Sequence, residues 1–140
     1  MFGHMGVEWN LLTLRDDQQD QLRHIVGLYK KHRELLHSGN FVRYDVTSDN
    51  SAVAHGVIST DKHKALLSYA QLTTAQGLVP SPWKIHGLLN DAEYTVTYVP
   101  LGDSKEHASL TMTGAQLGRV GIQPPMLFPE SAVLISLESQ

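Results

Sequence analysis

The spacing of hydrophobic residues changes near Gly39 and divides the chain into two parts. Between Asp17 and about His37, apolar side chains recur close to the helical period of about 3.6 residues. After Gly39, apolar and polar residues alternate in short runs separated by turn residues, a pattern typical of strands with one buried face. The sequence therefore predicts one long helix followed by an all-β unit at 40–140.

The predicted helix carries signals at both ends. Asp16 is a suitable N-cap residue, and Gln19 three positions later would complete a capping box. Gly39 is expected just after the helix, where a residue without a side chain adopts positive φ easily. Acidic residues lead the segment and basic residues crowd its second half, which suits the helix dipole.

A further strand is predicted before the helix, from Phe2 to Leu14, because Val7, Trp9 and Leu11 alternate with polar residues. The strands predicted after the helix are 42–46, 53–57, 66–72, 83–88, 94–98, 110–112 and 133–137. The expected fold is mainly β, an antiparallel sandwich of Greek-key type. One strand followed by one helix is half of a βα unit, so the opening resembles the end of a larger parallel structure.

Composition places the chain among ordinary folded proteins, because 41% of its residues are hydrophobic and 18% are charged. The formal net charge of −3 gives no general attraction to nucleic acid, and the lack of cysteine excludes disulfides and thiolate-bound metals. No apolar run of about 18 residues and no signal-peptide pattern is present. The expectation is a cytoplasmic protein with no cofactor, no membrane contact and no nucleic-acid partner.

Two histidine arrangements raise the question of a metal or a catalytic base. Glu34 and His37 have the Glu-x-x-His spacing of helical di-iron sites, but such sites need a second pair on a facing helix. Both residues are therefore interpreted as solvated residues at the helix end. His55 lies inside an apolar strand and is interpreted as a hydrogen-bonded sheet residue rather than a base. No metal ligands are assigned.

Two short motifs could contact nucleic acid. The run Lys30-Lys31-His32-Arg33 is interpreted as a solvated face that complements the helix C-terminus, because no other basic residues extend it. The Gly3-His4-Met5-Gly6 stretch has the spacing of an RNA-clamping loop but is too short and too close to the terminus to indicate one.

Aromatic residues could stack on sugar rings. The candidates are Trp9, Trp83, Tyr44, Tyr69, Tyr94 and Tyr98. Their alternation places most of them in the core, while both interpretations stay open for Trp83, which lies between Pro82 and Lys84.

Several stretches match one family pattern in the same order. Residues 2–11 (FGHMGVEWNL) and 28–39 (LYKKHRELLHSG) are the longest, and shorter matches follow at 54–57, 87–96 and 113–125. Together they resemble the bacterial α-galactosidases of glycoside hydrolase family 36. The first two are similar to the last strand and last helix of that family's catalytic barrel, and the rest to its C-terminal β domain. Asn10 stands where Asp is usual and Pro124 where an apolar residue is usual.

The resemblance implies that 1–39 are the last strand and helix of an incomplete (β/α)8 barrel and that 40–140 are a C-terminal β-sandwich. It implies a parent enzyme that removes terminal α-galactosyl residues from melibiose- or raffinose-type sugars with retention, using two Asp carboxylates. The family's Lys-x-Asp and Ser-Asp-Asp motifs do not occur in this sequence, so no catalytic residue is carried over. Glu8 and Asn10, near the end of the first strand, are the candidates closest to the substrate pocket.

The chain alone is therefore expected to be inactive and structural, as a fragment or the product of a truncated gene. Its expected partner is the rest of the barrel, and a galactoside oligosaccharide and a second copy of the chain are the other partners considered. Without the barrel, residues 1–39 should fold back on the β unit, dimerise or be poorly ordered. The alternative is a stand-alone β-sandwich module that binds carbohydrate or another protein.

Overall fold

The structure is a computed structural model that describes residues 2–75, 77, 79–99, 101 and 109–139. Its helices are α1 (Asp16–Ser38) and α2 (Gly114–Arg119), and a short 3-10 turn at Leu11–Thr13 precedes α1. The strands are β1 (Asn40–Tyr44), β2 (Ala52–Ile58), β3 (Lys64–Gln71), β4 (Glu93–Val99), β5 (Leu110–Thr113) and β6 (Ser131–Ser139). The predicted mainly β fold with one long helix is confirmed.

The strands that the described residues form belong to one antiparallel sheet with the order β1-β2-β3-β6-β4-β5. The last strand lies in its middle, between β3 and β4. Ile135 at the centre of β6 is fully buried, opposite Leu67 of β3 and Tyr98 of β4. Because strand positions alternate between faces, odd and even residues of each strand meet different layers.

One face of the sheet, called the core face, carries the larger hydrophobic core. Its buried strand residues include Leu67, Tyr69, Tyr94, Val96, Ile135 and Leu137. The layer that covers them comes from α2, through Leu117, and from an irregular segment that contains Trp83 and Ile85. This second layer excludes water from the core face with side chains that are themselves almost completely buried.

Helix α1 packs across the opposite face, called the helix face. Leu36 of α1 clusters with Val57, Leu66 and Leu134 from β2, β3 and β6. Leu28, Tyr29 and Leu35 are half-buried against the same cluster. The second half of the long helix therefore packs on the β unit.

The start of α1 differs from the prediction by one residue. Its N-cap is Arg15 rather than Asp16, and the Arg15 backbone N–H donates to Gln18 Oε1 at 3.1 Å. Gln19, expected to close the capping box, instead donates from Nε2 to the carbonyl of Leu14 at 3.1 Å. Asp16 therefore lies within the first turn, where its negative charge suits the helix dipole.

Gly39 follows α1 as predicted, but the physical reason is different. Its φ of −83° and ψ of 172° are extended, so positive φ is not what requires glycine. A side-chain Cβ would lie 2.8 Å from the carbonyl oxygen of Ile58 and 2.9 Å from that of Leu35, and closer still to the side chain of Val57. Glycine is required because the end of α1 approaches β2 so closely.

The strand predicted for Phe2 to Leu14 is wrong. The segment contains only the 3-10 turn, and its residues are largely exposed. Alternation of apolar residues favours a strand only where a neighbouring strand supplies backbone hydrogen bonds, and no described strand pairs with this segment.

The strand predicted at 83–88 is also wrong. Only Trp83 forms a bridge. Its N–H donates to Ile122 O at 2.7 Å, and its carbonyl accepts the N–H of Ile122 at 2.9 Å. The short α2 was not predicted, although Thr113 caps it by accepting from Gln116 N–H at 3.2 Å. A helix of six residues is too short to show an amphipathic period.

Candidate functional site

Glu8 and Asn10, the residues expected nearest a substrate pocket, both lie exposed before α1. Asn10 Oδ1 accepts the N–H of Leu12 at 3.1 Å, and the Asn10 carbonyl accepts the hydroxyl of Thr13 at 2.9 Å. The polar groups of Asn10 therefore stabilise the turn that precedes the helix.

Apolar side chains around these two residues are exposed as a group. Val7 is 43% exposed, Trp9 62%, Leu11 55% and Leu12 96%. We call residues 7–12 the N-terminal apolar segment. Several large apolar side chains exposed within one short stretch indicate a surface that another protein surface could cover.

The basic run is divided by the geometry of α1. Lys30, Lys31 and Arg33 are exposed, as interpreted, whereas His32 is buried. The interpretation of His32 as solvated is wrong because positions 28, 32 and 36 lie on the side of the helix that faces the sheet. The run is therefore no continuous basic surface.

Glu34 and His37 are exposed at the end of α1, as interpreted. His37 Nε2 lies 2.8 Å from the hydroxyl of Tyr29, and its ring centroid lies 5.0 Å from that of His4. Within the described ranges, no group of three or more His, Cys, Asp or Glu side chains could hold a metal ion. The Gly3 to Gly6 stretch has open space around both glycines.

His55 contacts aromatic rings on the helix face. Its ring centroid lies 4.8 Å from that of Phe2 and 5.9 Å from that of Phe41. Burial lowers the pKa of His55, and the charge of Arg43 acts in the same direction. The expected hydrogen-bonded sheet histidine is thus packed chiefly through its ring and favours the neutral form.

The aromatic candidates are mostly core residues, as their alternation predicted, with Trp9 as the exposed exception. The Tyr94 hydroxyl donates to Lys62 O at 2.6 Å, and the Tyr98 hydroxyl donates to Gln123 O at 3.0 Å. The Tyr44 hydroxyl donates to His86 O at 3.1 Å, and burial raises the pKa of Tyr44 to about 12. These hydroxyls therefore tie loops to the sheet rather than offering reactive groups.

A groove of about 630 Å³ lies between the second half of α1 and the sheet, and we call it the α1 groove. Its charged and titratable lining residues are Lys31, His32, Glu34, Asp61, Lys64 and Glu138. His32 Nε2 is buried there without a hydrogen-bond partner among the described residues. Burial lowers the pKa of His32 and Lys31 lowers it further, while Glu138 opposes the shift.

Sequence reasoning did not find this groove. Glu138 comes from β6 and Asp61 from the turn after β2, and only the pairing of β3 with β6 brings them near α1. The burial of His32 had a usable signal, because Leu28 and Leu36 stand one helical turn away on either side.

A smaller cavity of about 330 Å³ lies where the edge strand β1 meets the segment around Trp83, and we call it the β1-edge cavity. Its polar and aromatic lining residues are Arg43, Tyr44, Asp45, Trp83, Lys84 and His86. Trp83 is only 2% exposed, and its Nε1 has no hydrogen-bond partner among the described residues. The sequence left two interpretations of Trp83 open, and the structure places its ring in the core.

Comparison with known proteins gives one consistent result. The family described as "Glycosyl hydrolase family 36 C-terminal domain" matches residues 52–137. An α-galactosidase of Escherichia coli is 31% identical over 99% of this chain, which spans 22% of that relative. The bifunctional α-galactosidase/sucrose kinase AgaSK of Mediterraneibacter gnavus is 26% identical over 89% of this chain, which spans 12% of that protein.

Solved structures agree with the fold. The crystal structure of the α-galactosidase from Lactobacillus brevis superimposes with a TM-score of 0.81 at 21% identity, covering 99% of this chain and 19% of its own. AgaA, an α-galactosidase from Geobacillus stearothermophilus, gives a TM-score of 0.77 at 19% identity, covering 95% of this chain and 17% of its own.

The antiparallel sheet with α1 on one face is thus the architecture of a C-terminal β domain found in much longer glycosidases. The chain belongs to glycosyl hydrolase family 36 and contains its C-terminal domain. Among the described residues, neither helix is long and apolar enough to cross a membrane.

Proposed function

We propose that this chain is the C-terminal portion of an α-galactosidase and supports a catalytic barrel formed by other residues. The sequence similarity to the Escherichia coli α-galactosidase extends over 99% of the chain, including the part before α1. The proposed division is the one expected from the sequence, with 1–39 belonging to the barrel and 40–140 forming the supporting domain.

The N-terminal apolar segment is the observation that carries this proposal. Leu12 is 96% exposed and Trp9 is 62% exposed, although the sheet beside them has a well-buried core. Leaving large apolar groups in water is unfavourable by about 25 cal/mol per Å² of apolar surface. A catalytic barrel that supplied the missing neighbouring strands would bury these side chains.

Two exposed carboxyl groups of this chain have lowered pKa values. A retaining glycosidase needs one carboxyl group whose pKa is raised so that it can act as a general acid. The hydrogen bond from Arg15 lowers the pKa of Asp17. The hydrogen bond from the Ser59 hydroxyl lowers the pKa of Asp61. Both shifts favour carboxylates, so Asp17 and Asp61 are suited to capping and turns rather than to acid catalysis.

A complementation experiment tests the proposal. The 140-residue chain would be co-expressed with the Escherichia coli α-galactosidase lacking the portion that this chain matches, and turnover of an aryl α-galactoside would be measured. We expect turnover only when both pieces are present, because the catalytic carboxylates lie in one piece and the supporting domain in the other.

The matched variants are Leu12→Ser in the N-terminal apolar segment and Phe128→Ser at a second exposed apolar position. The proposal predicts that Leu12→Ser weakens the rescue and that Phe128→Ser does not. Turnover by the chain alone that disappears when one of its own carboxylates is changed would contradict the proposal. Equal rescue by both variants would contradict the assigned contact surface.

A further inference from the structure

A cavity of about 400 Å³ lies over the paired strands β1 and β2, and we call it the β1–β2 cavity. Its lining residues are Phe2, Phe41, Arg43, Val53, Ala54 and His55. None of these residues lines the α1 groove, so the two are separate sites.

Three of the lining side chains project from the same face of the sheet. Val57 of β2 is buried in the cluster that α1 covers, so its side chain lies on the helix face. His55 is two positions away in the same strand and therefore also projects from the helix face. Phe41 pairs with Val57 and Arg43 pairs with His55, and paired residues of antiparallel strands project from the same face. Phe41, Arg43 and His55 therefore meet at one site.

Aromatic rings form the walls of the cavity. The ring centroid of His55 lies 4.8 Å from that of Phe2, with an interplanar angle of 71°, and 5.9 Å from that of Phe41. Phe41 is nevertheless 64% exposed, so much of its apolar surface is in contact with water. A flat apolar group lying against these rings would remove that surface from water, which is favourable.

The charge at the cavity is positive. Arg43 is exposed and, within the described part of the chain, takes part in no ion pair. None of the six described residues that line the cavity is acidic. Burial lowers the pKa of His55, and the positive charge of Arg43 lowers it further. A guanidinium group suits a carboxylate, because its planar N–H groups can donate two parallel hydrogen bonds.

We infer that the β1–β2 cavity binds a carboxylate that has an aromatic body, with the carboxylate paired to Arg43 and the body against Phe2 and Phe41. The volume lies within the range of about 300–1,000 Å³ typical of small-molecule sites. An inorganic anion would leave the rings in water, and a neutral aromatic molecule would leave Arg43 unpaired. The α1 groove specifies no ligand charge in this way, because both lysines and acidic residues line it.

This inference goes beyond the proposed function and does not depend on it. The test follows the ring Cε1–H signals of the histidines of the 140-residue chain by ¹H NMR, at a fixed pH, while sodium phenylacetate is added. His55→Gln identifies the His55 signal. His63, which is hydrogen-bonded to Ser139 outside the cavity, serves as an internal reference. We expect a saturable shift of the His55 signal with the His63 signal unchanged.

Two matched probes separate the contribution of the charge from that of the aromatic body. Phenylacetamide has the same body without the charge, and sodium acetate has the charge without the body. Each should bind about tenfold more weakly than phenylacetate, because each makes only part of the proposed contacts.

Two pairs of variants test the assigned residues. Arg43→Gln should weaken phenylacetate binding about tenfold and abolish the preference over phenylacetamide. Arg33→Gln removes an exposed guanidinium on α1 that does not line the cavity, and should leave the affinity unchanged. Phe41→Ala should weaken binding about fivefold because a ring contact is lost, whereas Phe128→Ala, at another exposed phenylalanine, should not. All four side chains are exposed, so the variants should keep the circular dichroism spectrum of the parent chain.

Four outcomes would overturn the inference. These are the absence of a saturable His55 shift, binding of acetate as tight as that of phenylacetate, equally tight binding of phenylacetamide, and unchanged affinity in Arg43→Gln or Phe41→Ala. Equal binding of acetate would identify an adventitious ion only. Successful complementation without a His55 shift would leave the proposed function intact and remove only the carboxylate site.

Discussion

The two faces of the sheet are covered in different ways, although the same strands build both. On the core face, Trp83, Ile85 and Leu117 are each no more than 2% exposed and complete a dry interior. On the helix face, the most buried apolar residue of α1 is Leu36, at 9% exposed, and a groove with charged walls remains beside it.

The two faces of the sheet therefore have different structural roles. The core face holds the fold together, because nearly all of its apolar contacts are excluded from water. The helix face joins α1 to the β unit through a smaller cluster and through His32, whose buried Nε2 has no hydrogen-bond partner among the described residues. We therefore expect the attachment of α1 to be more sensitive to conditions than the sheet itself.

The largest effect should come from a large-to-small change on the core face. Leu67→Ala removes a fully buried side chain and should lower the free energy of unfolding by about 2–5 kcal/mol. Leu36→Ala on the helix face should cost about 2 kcal/mol, because Leu36 is 9% exposed and packs in the smaller cluster. Urea unfolding measures both values, and a larger loss for Leu36→Ala would reverse the ranking of the two faces.

A substitution at Gly39 tests the close contact between the end of α1 and β2. Gly39→Ala should lower the free energy of unfolding by about 1–3 kcal/mol, because the new Cβ would overlap the carbonyl of Ile58. Gly27→Ala is the matched control, since nothing lies within 4 Å of its Cβ position. This control should stabilise α1 by about 0.5–1 kcal/mol. Thermal unfolding that finds Gly39→Ala neutral would show that the helix end can move away from β2.

Acidification should weaken the helix face. Burial lowers the pKa of His32, so below a pH of about 6.5 the unfolded chain takes up a proton more readily than the folded chain. Stability should therefore be constant above that pH and fall as the pH is lowered further. His55, whose pKa is also lowered, acts in the same direction.

The contribution of His32 is isolated by substitution. His32→Gln should flatten the dependence of the unfolding free energy on pH, because it removes the buried imidazole. Chemical unfolding between about pH 8 and about pH 5 measures the slope. An unchanged slope in His32→Gln would show that this imidazole is not the group responsible.

The smallest effect is expected in the N-terminal apolar segment. Leu12→Ser should change the free energy of unfolding by no more than about 0.5 kcal/mol, because the side chain is 96% exposed. Leu67 is fully buried. Substitutions at Leu12 and Leu67 therefore compare an exposed leucine with a buried one in the same chain. A large loss of stability in Leu12→Ser would show that this segment packs on the β unit in solution.

Local sequence patterns predicted the strands of the sheet well. Positions such as Tyr94, Val96 and Tyr98 alternate with polar residues, and the structure buries all three on the core face. The same alternation at Val7, Trp9 and Leu11 gave a wrong strand, because pairing depends on residues far along the chain.

The candidate sites were harder to predict. Trp83 and Tyr44 meet in one cavity only because the bridge to Ile122 turns the segment around Trp83 toward β1. Gly39 was expected for its conformational freedom, whereas a close approach between two backbone segments requires it. Both features depend on tertiary contacts, which a single sequence does not display.

The central position of β6 has a consequence for synthesis on the ribosome. The block of β1 to β3 and the block of β4 and β5 share no strand pairing with each other, and β6 joins both. A nascent chain whose residues beyond Ser131 are still in the exit tunnel can form only two separate ribbons. Completing the sheet therefore waits for the final strand to emerge, and a nonsense mutation before Ser131 would leave two exposed, aggregation-prone edges.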